Sequence, residues 1–189
     1  MPVVGVDDGA LPARRGPDAT TLLAAVLIKN AKVRAARLGR ISVDGRDANR
    51  VLESLLKGLR FEATMLSGIS FAGFNLVDIA QLAESTQRPV IAIAGDKPDN
   101  AAVRKALQTH FADWQERWRI VRAAGRMHFC KPHLQEPKLY FEVRGLSPAF
   151  AQRLIAVTAK ISRLPEPIRV ARIVARGLTR LMSATIPRS

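Results

Sequence analysis

Five aspartates in the first half of the chain stand where a strand or helix has to begin or end. Asp7 and Asp8 close the short apolar run Val3-Val4-Gly5-Val6 and precede Gly9. Asp44 follows Ile41-Ser42-Val43, Asp47 opens the stretch that carries Val51, Leu52, Leu55, Leu56 and Leu59, and Asp78 follows Asn75 by three residues. Carboxylates at such places can be aimed at one point from separate segments. Metal-assisted cleavage of a phosphodiester needs that arrangement, because Mg²⁺ prefers hard oxygen ligands and keeps several of its waters. Asp7, Asp44 and Asp47 are therefore candidate catalytic acids, and Asp7, Asp8, Asp47 and Asp78 candidate metal ligands for Mg²⁺, with Mn²⁺ as the alternative. Side chains alternate along a strand, so only one of Asp7 and Asp8 can face a given side. Each acid also has a structural reading. Asp8-Gly9 and Asp44-Gly45 are turn dipeptides, Asp47 suits the positive end of a helix, and Asp78 suits a cap.

A second group of residues could hold a polyanion. Arg169, Arg172, Arg176 and Arg180 recur at spacings of three, four and four, beside an apolar stripe of Val170, Ile173, Val174, Leu178 and Leu181. A solvated helix face normally mixes signs, and this one carries a single sign, which suits a row of phosphate contacts. Between Ser67 and Asn75 lie Gly68, Phe71, Gly73 and Phe74. Backbone N–H groups there could receive a phosphate and an exposed Phe could stack on a base; the structural reading makes both phenylalanines core. His128, Cys130 and His133 lie close together, but no fourth zinc ligand stands near them. Trp114 and Trp118, four apart, are expected to pack on one helix face.

The elements that must position these groups follow from periodicity. Residues 3–6, 21–28, 41–43, 63–66 and 89–94 read as strands, and 127–143 as a hairpin. Helices are expected over 47–59, 75–86 with Asn75 as N-cap, 99–124 as one long or two abutting pieces, 147–161 and 166–182. Residues 11–18, with two prolines, two arginines and a glycine, read as a loop. Strands lead and then alternate with helices, which points to an α/β fold with a mixed sheet flanked by helices. The 189 residues fit a single domain, 1–189, ending in a basic helical segment at about 147–182.

Composition narrows the partner. Thirty Lys and Arg against sixteen Asp and Glu give a net charge of +14 and a pI near 11.3, and residues 150–189 hold eight basic residues and one acid, Glu166. An excess of that size suits nucleic acid. No apolar run is long enough to span a membrane, the first residues carry charge where a secretory leader would be apolar, and the lone Cys130 can form no intrachain disulfide. Together these favour the cytoplasm and no membrane partner.

Five ordered stretches resemble one family. Val3-Val4-Gly5-Val6-Asp7-Asp8-Gly9 is similar to the opening of the archaeal endonuclease dU family, which is related to endonuclease V. Ile41-Ser42-Val43-Asp44-Gly45-Arg46-Asp47-Ala48 resembles its second signature, and 65–79 (MLSGISFAGFNLVDI) its longest. Arg88-Pro89-Val90-Ile91 and Pro165-Glu166-Pro167-Ile168-Arg169-Val170-Ala171 resemble the two that follow. The resemblance implies a ribonuclease H-like fold. It also implies Mg²⁺-dependent hydrolysis of a strand, DNA before RNA, near a deaminated base such as uracil or inosine. Asp7 would be the central ligand and Asp47 the second acid. Two positions depart from the pattern. Ser67 stands where a third acid is expected, and Arg172 where a histidine would serve as proton donor. A serine brings no charge to a metal, and an arginine does no acid–base work near neutral pH. The sequence therefore supports two readings, a metal-dependent endonuclease and a strand-binding module of the same fold that no longer cuts. A basic assembly protein of a ribonucleoprotein stands behind both.

Overall fold

The structure is a computed structural model and describes every residue except 14, 15, 17, 134 and 186–189; the side chains of 183–185 are also outside the description. Among the described residues the order is β1 (Val3–Asp8), β2 (Thr20–Lys29), β3 (Lys32–Ser42), α1 (Ala48–Leu56), β4 (Ala63–Leu66), β5 (Ser70–Phe71), β6 (Asn75–Leu76), α2 (Ile79–Thr86), β7 (Val90–Ala94), α3 (Asn100–His110), α4 (Trp114–Ala123), β8 (His128–Cys130), β9 (Leu139–Arg144), α5 (Pro148–Thr158) and α6 (Glu166–Thr185). Seven strands form one mixed sheet in the order β3-β2-β1-β4-β7-β9-β8, with β1, β4 and β7 parallel and the other neighbours antiparallel. This is the α/β mixed-sheet fold that the alternation of elements implies.

The sheet is covered on both faces, and the alternation along β1 decides what each face receives. Val4 and Val6 join the cluster under α1 and α2. Val3 joins the cluster under α5 and the start of α6. Gly5 shares that second face. A side chain on it would overlap the Pro167 carbonyl at the start of α6, so glycine is what lets the helix lie against β1. By the same alternation Asp7 points toward α6 and Asp8 toward the α1 side. Val26 and Ala24 of β2 meet Ala171 and Ala175 of α6, small residues that again permit close approach.

The region 99–124 takes the second of its two expected forms, two helices broken at Phe111–Asp113, with Asp99 capping α3 through the amides of Ala101 and Ala102. Two other elements differ from the sequence expectation. The choppy, arginine-rich stretch after residue 32 is one continuous eleven-residue edge strand. It alternates Ala35, Arg37, Gly39 and Ile41 toward α1 with exposed Arg34, Ala36, Leu38 and Arg40. Asn75 is not a helix N-cap. It lies in β6, fully buried, and Asp78 caps α2 by accepting from the amides of Ala80 and Gln81. No helix among the described residues is long and apolar enough to cross a membrane.

The Gly5–Pro167 approach gives a direct test of how α6 is seated. Gly5→Ala is expected to lower stability by about 3 kcal/mol, since the obstacle is backbone that has no rotamer to yield. A denaturant titration followed by far-ultraviolet circular dichroism measures it; a loss below about 0.5 kcal/mol would mean that α6 does not lie where described.

Candidate functional site

The parallel strands β1 and β4 end side by side, and the amide of Ser67 continues their ladder by donating to the carbonyl of Val6 at 3.1 Å. Three side chains meet at this rim. Arg172, on α6, donates Nε to Oδ2 of Asp7 at 2.6 Å and Nη2 to Oγ of Ser67 at 3.0 Å. The other oxygen of Asp7 accepts from the amide of Asp8 at 2.9 Å. Asp7 is 3 % exposed, so its charge is withdrawn from water, and the guanidinium supplies the compensation that a buried carboxylate needs. The two positions that depart from the family pattern, Ser67 and Arg172, are therefore in direct contact with each other and with Asp7.

The remaining candidate acids converge elsewhere, on the loop 72–75. Asp8 accepts the amide of Ala72 at 2.5 Å, Asp44 accepts the amide of Phe74 at 2.8 Å, and Asp47 accepts the side-chain amide of Asn75 at 2.6 Å. Asp47 also accepts the amide and hydroxyl of Ser42 at 3.1 and 3.2 Å. Asn75 in turn accepts the amide of Ala48 at 3.0 Å, so it supplies from a distance the cap that Asp47 does not give to α1. Arg117, 6 % exposed, fastens the same loop from α4 by donating to the carbonyls of Asp44, Gly45 and Phe74 at 3.0, 3.0 and 2.7 Å. Ala72 and Asp44 both adopt positive φ, and a Cβ on Gly73 (φ +88°) would collide with the carboxylate of Asp44. These acids hold a strained loop in shape by saturating its amides.

Burial works against the charge of Asp47, yet the hydrogen bonds from Asn75 and Ser42 prevail and hold its carboxyl below the ordinary aspartate range. Asp8 moves the other way. Burial raises it, the neighbouring charge of Asp7 adds to the rise, and the Ala72 amide and the Arg176 cation offset only part.

These contacts test the expected metal centre directly. Asp7 and Asp8 are adjacent but face different sides, Asp44 and Asp47 are turned to loop 72–75, and Asp78 caps α2. Among the described residues no three His, Cys, Asp or Glu side chains are grouped as ligands of one ion. At the rim itself the donor set is one carboxylate and one hydroxyl, already facing a fixed cation. A divalent ion there would meet a guanidinium and a single acid, so the residues do not fit Mg²⁺ or Mn²⁺. The expected pairing of Asp7 with Asp47 is corrected on the same ground: they belong to opposite faces of the sheet.

The expected strand contacts divide as well. Phe71 is 1 % exposed and belongs to the core, so it cannot stack on a base. Phe74 is half-buried, edge-on to Phe111 with ring centroids 5.5 Å apart. Gly68 (φ +81°) makes the turn after Ser67, and Gly73 lies exposed on the loop. Arg169 is held bidentately by Glu166 at 2.8 and 2.7 Å, and Arg172 by Asp7. Arg176 and Arg180 are exposed and no salt bridge to either is formed among the described residues. The arginine row thus has two members open to a ligand and two committed to carboxylates. Sequence spacing could not separate them, because the partner of Arg172 lies 165 residues away.

The family profile described as Endonuclease dU matches residues 1–179. The chain belongs to the endonuclease dU family. A UPF0215 protein of Methanothermobacter thermautotrophicus is 34% identical over 182 residues, covering 94% of this chain and 87% of the relative. A crystal structure of a protein of unknown function from Archaeoglobus fulgidus superposes with a TM-score of 0.82 at 26% identity, covering 94% and 97% of the two chains. Endonuclease V of Ciona intestinalis, solved as its D234N form with a 23mer DNA containing an inosine followed by a ribo-adenosine, shares the fold with a TM-score of 0.58 at 14% identity, covering 96% of this chain and 86% of that one. The endonuclease dU protein described here therefore has the ribonuclease H-like fold of endonuclease V.

Two measurements check the electrostatics of the rim. Arg172→Leu strands the Asp7 carboxylate and is expected to cost about 2 kcal/mol, the low side for a broken buried pair because the guanidinium side chain is 39% exposed. Adding Asp7→Asn should recover more than half of that loss, and additive effects in a denaturant double-mutant cycle would refute the coupling. For Asp8, a carboxyl raised in the folded state favours folding below its ordinary value of 3.8 and loses that contribution as pH rises through the raised value. Asp8→Asn keeps an acceptor for Ala72 and should raise the melting temperature at pH 7, with the gain vanishing below the ordinary aspartate pKa. A gain that persists in acid would contradict this.

Proposed function

We propose that this endonuclease dU protein is a cytoplasmic nucleic-acid-binding module that grips a strand across the β1–β4 rim with arginine, and that metal-dependent cleavage is lost or strongly impaired in it. The observation that carries this reading is the bond from Arg172 to both Asp7 and Ser67. A permanent cation stands there where the family pattern implies metal chemistry, and it already occupies the one carboxylate turned to that side of the strand end. Arg172 uses two of its five N–H groups on these partners, so it can still meet a phosphate oxygen arriving from solvent. Arg176 and Arg180 extend the positive row along α6, past the end of β1. The Ciona endonuclease V complex supports DNA as the ligand of this fold, with a deaminated base as the element recognised.

A second reading stays open on a specific observation. The whole-chain family match and the buried Asp7 at the strand end favour an endonuclease acting beside uracil or inosine. One experiment separates the two. Pure protein is incubated with uracil- and inosine-containing strands in the presence of Mg²⁺ and of Mn²⁺, and binding and nicking are measured together. Binding should weaken steeply with salt, with a log–log slope reduced by roughly two on replacing Arg176 and Arg180 by serine. Nicking should not exceed that of an Asp7→Ala control. The double variant Ser67→Asp/Arg172→His should gain Mg²⁺ affinity, read by calorimetry. Metal-dependent nicking by the unaltered protein, abolished by Asp7→Ala, would overturn the binding-only reading in favour of the nuclease.

A further inference from the structure

The two tryptophans of the chain share one face of α4, as their spacing implies, and neither belongs to the buried core. Trp114 and Trp118 are both only partly buried and line an open groove of about 630 Å³ between α3 and α4. Apart from Gln115, the rest of its polar lining is cationic. Arg104, on α3, holds its guanidinium carbon 5.9 Å from one indole centroid and 6.0 Å from the other, and Arg119 and Arg122 stand beside them on α4. Among the described residues no carboxylate lines the groove. The nearby acids of α4 are engaged elsewhere, Asp113 with Arg117 and Glu116 with Arg46. No salt bridge reaches Arg104, Arg119 or Arg122 among the described residues.

We propose that this groove is a second nucleic-acid site, in which bases of a single strand stack on Trp114 and Trp118 while Arg104, Arg119 and Arg122 hold the flanking phosphates. Stacking on aromatic faces with a cationic border is the chemistry that retains unpaired bases without reading their sequence. A duplex hides its base faces, so the ligand is single-stranded. An acidic peptide would satisfy the arginines and leave the half-exposed indoles without a function. Arg104 sits at the outer limit of a cation–π contact with both rings, so an entering base can replace it on one face while its charge turns to the phosphate.

The placement connects this groove to the first site. Arg117, on the adjoining side of α4, is bonded to the carbonyls of Asp44 and Gly45 in the β3–α1 turn and of Phe74 in the loop whose Ala72 amide binds Asp8. Arg117 therefore ties the helix that bears the groove to the same frame that holds Asp8 at the end of β1. The inference does not depend on whether Asp7 supports cleavage.

Because both tryptophans lie in the groove, indole fluorescence reports this site alone. The full chain is titrated with short dye-labelled oligothymidylate and oligouridylate, following indole emission and dye anisotropy in the same samples. Saturable quenching at the anisotropy midpoint, weakened by salt, is expected. A preference for one of the two oligomers identifies the sugar and supports the site equally. Trp118→Ala should weaken binding about tenfold, the loss of one stacked base. Arg119→Ser/Arg122→Ser, at exposed positions that leave the fold intact, should weaken it and flatten its salt dependence. Arg176→Ser/Arg180→Ser should leave the quenching amplitude unchanged. Rising anisotropy with constant indole emission would place the strand on the rim only, overturning this proposal while sparing the first. Quenching by an oligoglutamate but by neither oligonucleotide would overturn it as well.

Discussion

The contact between the guanidinium of Arg172 and the carboxylate of Asp7 joins the last helix to the first strand, and most of the functional rim depends on it. Gly5 and the alanines of α6 bring the helix close enough for an arginine to reach the strand end, and Pro167 starts the helix at the right height. At 3 % exposure Asp7 has little contact with water, and the Arg172 guanidinium takes water's place as its partner. In this chain that cation is covalently part of the fold. A site built in this way has a fixed charge and a fixed geometry, which suits holding an anion and leaves little electrostatic attraction for a free divalent ion.

The second constraint is loop 72–75. It carries positive φ at Ala72 and Gly73 and presents amides and an asparagine inward. Three aspartates from two segments, Asp8 at the end of β1 and Asp44 and Asp47 in the β3–α1 turn, satisfy those groups, and Arg117 satisfies the carbonyl of Phe74. Removing water from so many polar groups is tolerable only because each finds a partner, several of them charge-assisted. The loop therefore ties β1, the β3–α1 turn and α4 into one unit, and the sites on the rim and on α4 share that frame.

How much of this can be read from sequence follows from range. Strands 3–6, 63–66 and 89–94 and the last helix were legible because their apolar periods are strong and local. The five ordered family stretches carried the fold. The roles of the acids were not legible: Asp44, Asp47 and Asp8 occupy positions that serve equally as metal ligands or as acceptors for a loop, and the choice is made by contacts 28 to 64 residues away. Asn75 misled for the same reason, since it does cap a helix, but α1 and not the helix that follows it. Ser67 and Arg172 were each visible as departures, while their contact with one another required coordinates. Trp114 and Trp118 fit an amphipathic helix by spacing, and only the break at Phe111–Asp113 and the turn of α3 against α4 leave them open.

The large positive charge also acquires a different meaning once its members are placed. Arg37 donates to the carbonyls of Leu55 and Lys57 at the end of α1, Arg144 to that of Ala123 at the end of α4, and Arg163 to those of Gly95 and Lys138. Here arginine caps helix and loop ends, complementing the negative end of the helix dipole in two of the three cases. A carbonyl does not neutralise a guanidinium, so these residues still contribute to the long-range field that draws in a polyanion. Part of each donor fork is turned inward to those carbonyls, so fewer N–H groups face solvent. Other arginines are exposed and, among the described residues, have no bonded carboxylate or carbonyl partner, among them Arg176 and Arg180 on α6 and Arg104, Arg119 and Arg122 beside the tryptophans of α4. Net charge thus sets the long-range field around the molecule, while the partners of each arginine decide which guanidinium groups are open to a ligand.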